Sequence, residues 1–149
     1  MRALLQRVSE ASVTIAGERV GEIGPGLLVL LGLDKGDDLT LGKRMLEKLL
    51  SYRVFPDEQG RMNRSVRDTG GGVLLVSQFT LSAATDKGLR PSFSSALEPG
   101  RAETLYVELL AVLESQHSPV ASGVFGADMQ VALVNDGPVT FLLEMGGAE

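Results

Sequence analysis

Gly24-Pro25-Gly26-Leu27-Leu28-Val29-Leu30-Leu31-Gly32-Leu33 is the stretch from which the rest of the chain is most easily understood. Gly-Pro-Gly punctuates sharply, and the run from Leu27 to Leu33 lacks the polar alternation of a strand with one wet face. It reads as a strand buried on both faces. Gly70-Gly71-Gly72 releases the chain into Val73–Phe79, a second apolar strand of the same kind. A strand buried on both faces needs cover on both sides, and the flanking sequence has the pattern to supply it.

Upstream, Ala3, Leu5, Arg7 and Ser9 alternate with Leu4, Gln6 and Val8 over residues 2–16, with a kink expected near Glu10-Ala11 before Val13-Thr14-Ile15. Ala16-Gly17-Glu18 reads as a hairpin turn into Arg19–Ile23. Downstream, Asp37-Asp38 offers an N-cap and favourable charge for a helix over 39–52, whose Leu41, Met45 and Leu49 form one stripe. Pro56-Asp57-Glu58-Gln59-Gly60 is a turn. Residues 82–98 lack periodicity and read as a long functional loop. Pro99 suits the first turn of a second helix carrying Ala102, Leu105, Tyr106, Leu109, Leu110 and Leu113 at helical spacing. Val120–Phe125, Met129–Val134 and Val139–Met145 read as three closing strands, the last two separated by Asn135-Asp136-Gly137-Pro138. The order predicts a single α+β domain over residues 1–149: a curved, mostly antiparallel, barrel-like β-sheet with two covering helices.

Composition removes whole classes of chemistry. The 149 residues are 44% hydrophobic and 22% charged, the balance of a globular chain. There is no cysteine and one histidine, His117, which excludes a disulfide framework, a thiolate nucleophile and the common zinc sites. No metal or other cofactor is therefore expected. A Ser-His-Asp triad would have to use His117, whose place near the end of the second helix suits a structural role. No apolar run approaches the roughly 18 residues of a membrane span, and no signal-peptide core follows Met1. The expectation is a cytoplasmic protein with no membrane partner.

Net charge is −5, but all 14 basic residues lie at or before Arg101, and residues 102–149 carry seven acids and no Lys or Arg. A nucleic-acid partner would have to meet a local basic patch. Arg53, Arg61, Arg64 and Arg67, then Lys87 and Arg90, are the candidates to clamp phosphates; the plainer reading is a solvated surface.

Ser77-Gln78-Phe79-Thr80 is the first candidate site, three hydrogen-bonding side chains where an apolar strand leaves the core. The plainer reading is a strand end satisfying its own turn. Gly137-Pro138 is the second, because proline between two apolar strands forces a turn, edge or bulge, and glycine lets backbone approach a ligand. An ordinary trans turn is the plainer alternative. Asn63 and Asp136 read first as turn residues, and Phe125 and Met129 as core packing.

Together these segments resemble the D-aminoacyl-tRNA deacylase family along nearly the whole chain. The resemblance is carried by Arg7-Val8-Ser9-Glu10-Ala11-Ser12-Val13, Gly60-Arg61-Met62-Asn63, Val76 to Leu81, Gly88 to Phe93, Phe125 to Met129 and Val134 to Thr140. Ser-Gln-Phe-Thr and Asn-x-Gly-Pro-Val-Thr are the family's two signatures, and both stand intact. Leu89, where a polar residue is more usual, and Ala83-Ala84 depart from the pattern.

The resemblance implies a homodimer with active sites at the subunit interface, the cis Gly137-Pro138 pair of one chain reaching into the pocket of the other. Ser77, Gln78, Phe79 and Thr80 would line that pocket against the terminal adenosine. Phe125 and Met129 would form its adenine-side wall, and Arg7 would help hold the Gly-Pro loop. The implied partners are D-aminoacyl-tRNA and glycyl-tRNA, such as glycine mischarged on the alanine tRNA, and a second copy of the chain, with no DNA. Arg61, Arg64, Lys87 and Arg90 are the candidate tRNA contacts. The implied reaction is ester hydrolysis releasing free D-amino acid and tRNA, with L-aminoacyl esters spared. Two alternatives stand beside it: a related deacylase with a trans Gly-Pro and relaxed chirality, and a dimeric RNA- or nucleotide-binding module without turnover.

Overall fold

The computed structural model describes residues 1–146. In chain order its elements are β1 (Arg2–Ile15), β2 (Glu18–Ile23), β3 (Gly26–Gly32), α1 (Leu39–Ser51), β4 (Phe55–Pro56), β5 (Met62–Arg64), α2 (Val66–Thr69), β6 (Gly72–Ser77), a 3-10 turn (Phe79–Ser82), α3 (Pro99–Gln116), β7 (Val120–Ser122) and β8 (Gln130–Glu144).

The 14 residues of β1 are long enough to serve three partners. Along one edge its first half pairs antiparallel with β3, Arg2 opposite Gly32. Its second half pairs antiparallel with β2, across a turn in which Ala16 and Gly17 have φ of 50° and 80°, the two-residue geometry that suits strand twist. The other edge carries β8. β6 adds parallel to β3, and β7 parallel to β6. The sheet is thus antiparallel around β1 and parallel through β3, β6 and β7. It curls until β2 nears β7: a Cβ on Gly21 would lie 2.8 Å from the Ser122 carbonyl oxygen.

That curl makes two cores. Leu27, Val29, Leu31, Val73 and Leu75 pack outward beneath α1 and α3, against Met45, Leu46, Leu49, Leu50, Leu105, Leu109 and Leu113. Leu28, Leu74 and Val76 point into the curled sheet with Val8, Ala11, Val13 and Ile23. β3 and β6 are therefore buried on both faces, which is why neither alternates. Asp38 caps α1 by accepting from the Leu41 amide at 2.8 Å, and Pro99 opens α3.

Five sequence expectations need adjustment. The kink in β1 is a bulge at Ser9, since Val8 faces Asn135 and Glu10 faces Val134. Before it Ala3 and Leu5 join the helix-side core; after it the odd residues Ala11 and Val13 join Val8 in the other. The strand expected over Val73–Phe79 stops at Ser77, where the backbone tightens into the 3-10 turn. β7 stops at Ser122, short of Phe125. The two strands expected on either side of Asn135–Pro138 are one strand, because β1 holds both: Val8 pairs with Asn135 and Gln6 with Thr140. Residues 136–139 are extruded opposite Arg7 alone. A third helix, the four-residue α2, joins the two expected, and its Ser65/Asp68 capping box is a local sequence cue.

Candidate active site

Parallel strands leave a crevice beyond their carboxyl ends, where neighbouring chains diverge. Here the pairing of β3 with β6 ends at Leu31 and Ser77, and a cavity of about 620 Å³ opens above it. Ser77, Gln78 and Phe79 line it, with Leu97 and Glu98 from the loop before α3 and Phe125 to Met129 from the β7–β8 connection. Thr80 is exposed and lies outside the lining.

The Gln78 amide donates to Leu31 O at 2.8 Å as the last bond across the two strands. Its side-chain Nε2 then donates to Thr80 Oγ1 at 2.5 Å, so Thr80 is held as an acceptor. Leu81 N closes the turn onto Gln78 O at 3.2 Å. The first two amides of such a turn have no carbonyl to meet. Among the described residues, the Phe79 and Thr80 amides donate to no backbone or side-chain acceptor. The Phe79 ring is 60% exposed and rests on Phe93, 5.1 Å between centroids, an aromatic pair at the mouth of the cavity.

The far wall is the seven-residue passage 123–129. A Cβ on Gly123 would lie 2.6 Å from the Met129 sulfur, so only glycine leaves Met129 its place. Glu98 spends both carboxylate oxygens on the Gly100 and Arg101 amides (2.8 and 3.2 Å) as the cap of α3. Asp128, also lining the cavity, is exposed. His117 is elsewhere, its Nε2 2.7 Å from the Gly71 carbonyl oxygen, and it is not among the lining residues. No His-based triad forms in this cavity.

Gly137 and Pro138 stand on the extruded turn of β8, joined by a cis peptide bond. Neither lines the cavity of its own chain among the described residues. Asn135 closes the base of the turn, its Oδ1 accepting from Val139 N at 2.7 Å and its Nδ2 donating to Thr140 Oγ1 at 2.9 Å. This accounts physically for the Asn and Thr of the Asn-x-Gly-Pro-Val-Thr pattern. Arg7, its side chain only 13% exposed, donates from Nε to Asp136 O and from Nη1 to Val54 O, both at 2.8 Å. Gly137 has φ 151°, and a Cβ there would sit 2.8 Å from the Val139 amide nitrogen.

The basic residues are unequally available. Arg67 is locked to Glu47 by two bonds of 2.8 and 2.9 Å, and that pairing raises its pKa while lowering that of Glu47. Arg64 pairs with Glu58. Arg53, Arg61, Lys87 and Arg90 are exposed and form no ion pair among the described residues. Asp57 organises the β4–β5 hairpin: Asn63 Nδ2 and the Arg61 and Gln59 amides donate to it, and these bonds hold its pKa below the ordinary value. Asn63 thus serves the turn, as its residue type implies.

A family model described as D-Tyr-tRNA(Tyr) deacylase matches residues 4–144. The chain belongs to this family. A D-aminoacyl-tRNA deacylase of Stutzerimonas stutzeri (strain A1501) is 62% identical over 144 residues, covering 97% of this chain and 99% of that protein. One from Azotobacter vinelandii is 60% identical over 144 residues, with the same coverage. A solved structure titled c-Myc DNA Unwinding Element Binding Protein has a TM-score of 0.94 at 43% identity, covering 99% of this chain and all (100%) of that one. A second, titled as a probable eukaryotic D-amino acid tRNA deacylase, shares the fold at TM-score 0.82 and 16% identity.

For this deacylase-family chain, sequence reasoning did not single out Phe93, Leu97, Glu98 or Asn135 as site residues. Phe93 and Leu97 lie in an aperiodic loop, where no pattern tells a lining residue from a solvated one. Asn135 had a readable signal, a turn-former two residues before Gly-Pro.

Proposed function

We propose that this protein hydrolyses the ester linking a D-amino acid, or glycine, to the terminal ribose of tRNA, and spares L-aminoacyl esters. The observation that carries the reading is the pair of unengaged amides at Phe79 and Thr80, on the turn whose first residue, Phe79, lines the cavity, in a chain of this family. Ester hydrolysis builds negative charge on the carbonyl oxygen as water adds, and two aligned N–H groups stabilise it without reorganisation. The tetrahedral intermediate then collapses, the ribose oxygen leaves and takes up a proton, and the amino acid departs as the free acid.

Activation of the water falls to the substrate. His117 is bonded to Gly71 and Glu98 is engaged as a cap. Thr80 Oγ1 accepts from Gln78 and has no neighbouring base among its hydrogen-bond partners. Asp128, exposed in the same cavity, stands on the 123–129 wall read as the adenine side, which leaves the vicinal 2′-hydroxyl of the ribose as the group nearest the ester. Phe125 and Met129 would receive the adenine, and the exposed Arg61, Lys87 and Arg90, with Arg64 once released from Glu58, would meet phosphates of the acceptor end.

Handedness is read by main chain. Exchanging D for L at the α-carbon swaps a hydrogen for a side chain, so a wall without rotamer freedom rejects one hand by clash. The Gly137-Pro138 turn protrudes from its own chain and is braced by Arg7 and Asn135. In a homodimer it would complete the partner's cavity, with the side chain of a D-residue pointing outward. Glycine has nothing to reject and is cleaved too. Such an enzyme works in the cytoplasm, where aminoacyl-tRNA is.

The deciding experiment is deacylation of matched D- and L-tyrosyl-tRNA by the purified protein. Rapid release from D alone is expected; equal rates on both would end the main-chain reading. Thr80→Ala should keep near-normal turnover, and a 2′-deoxy terminal adenosine should not react at full rate. A protein that binds adenosine and cleaves neither ester would instead be a binding module.

A further inference from the structure

Tyr106 carries a buried hydroxyl that the chemistry above leaves unused. It stands on α3 with 2% of its surface exposed, among Leu105, Leu109 and Leu113. Its oxygen lies 3.0 Å from Leu75 O and 3.3 Å from Gly123 O. One hydroxyl proton is thus shared between two carbonyls, one on β6 and one on the first residue after β7.

The two carbonyls are not equally provided for. Leu75 O also accepts from the Gly123 amide at 2.9 Å, the bond that ends the β6–β7 pairing. Gly123 O has no other donor among the described residues. Beyond Gly123 the chain runs free of the sheet to Gln130, and its one internal backbone bond is Ala127 N to Val124 O at 3.2 Å. That free run carries Phe125 and Met129 into the cavity. The Tyr106 ring also supports it, 5.9 Å from the Phe125 ring and tilted by 45°. Burial pushes the Tyr106 pKa up to about 12, so the hydroxyl keeps its proton across the working range.

We infer that Tyr106 is a positioning residue for substrate binding: its hydroxyl anchors Gly123 and its ring backs Phe125, so that the 123–129 wall is set at the spacing the substrate's nucleobase requires. The inference rests on the proposed reading of this wall as the adenine side. It assigns Tyr106 to recognition rather than to the bond-breaking step, because the hydroxyl faces two main-chain carbonyls and does not line the cavity.

Tyr106→Phe removes the hydroxyl and keeps the ring. Losing one buried hydrogen bond should raise KM for D-tyrosyl-tRNA about five- to tenfold, with kcat changed less than about twofold. The adenosine dissociation constant, measured by calorimetry on the full-length protein, should rise by a similar factor. Leu46→Val is the comparison, a trim of a buried α1 side chain that is not itself among the lining residues; it should lower Tm and leave KM and adenosine binding alone. If Tyr106→Phe lowers Tm but keeps wild-type KM and adenosine affinity, its role is structural only and the inference is overturned. A fall in kcat at constant KM overturns it as well. A wild-type protein that fails to cleave D-tyrosyl-tRNA would refute the proposed reaction, while adenosine binding by the two proteins would still decide the role of Tyr106.

Discussion

The cavity beyond β3 and β6 and the turn at Gly137-Pro138 are built in opposite ways. The cavity is concave, floored by the most buried strands of the chain, and open above an apolar lining. The turn is convex, extruded from an edge strand, and shaped by hydrogen bonds to its own backbone from Arg7 and Asn135. One supplies a pocket and unengaged amides; the other supplies rigid main chain with no pocket of its own. A recess and a protrusion on one chain are what a two-fold pair needs to complete each other's sites.

The comparison is tested most severely at Gly137. A Cβ there meets the Val139 amide and side chain, so Gly137→Ala must displace the turn. If the turn completes a partner's site, D-tyrosyl-tRNA cleavage should fall on the order of a hundredfold with the fold intact by circular dichroism. Unchanged activity would detach the turn from the site. Arg7→Ala comes next, since it strips the Asp136 and Val54 carbonyls of a charged donor. Activity should drop about tenfold and D-over-L selectivity narrow, with Arg7→Lys recovering little because a point charge cannot span both carbonyls.

The basic residues separate by availability. Removing Arg61, Lys87 or Arg90 should flatten the log–log salt dependence of tRNA binding by about one unit per contact. Arg67→Ala should leave that slope alone, because Arg67 is committed to Glu47. An equal slope change for Arg67 would reverse the assignment.

The smallest effect is acid sensitivity of the 57–68 segment. Hydrogen bonds hold the Asp57 and Asp68 pKa values below 3.8 in the folded state, from Asn63 foremost at Asp57 and from the Ser65 amide foremost at Asp68. A lowered folded pKa stabilises above the unfolded value and is lost as pH falls through the folded one. Hydrogen-exchange protection there should weaken below about pH 4 while the core stays protected. Asp57→Asn should blunt that dependence. Protection independent of pH would remove Asp57 as the organiser of the hairpin.

Much of this molecule was legible from residue order alone. The apolar runs after Gly26 and Gly72, the stripes of α1 and α3, and the Asp38 and Pro99 starts are local signals, since periodicity and capping depend on neighbours within a turn or two. The resemblance on Ser77–Thr80 and Asn135–Thr140 was equally visible. Strand ends were read less well. Val73–Phe79 continues its pattern past Ser77, and only the loss of a β3 partner beyond Leu31 stops the strand. Asn135–Pro138 looks like a connection between strands until β1 is seen to hold both sides in register.

What residue order determined, then, was the kind of element and the chemistry at two short signatures. What tertiary structure decided was which of these groups share a space: Ser77, Gln78 and Phe79 with the 123–129 wall, Tyr106 behind that wall, Arg7 against the Gly137-Pro138 turn, and Thr80 and His117 outside the cavity lining. The reason is that pairing across β1, β3 and β6 joins residues far apart in the chain, and no local pattern records a partner so distant.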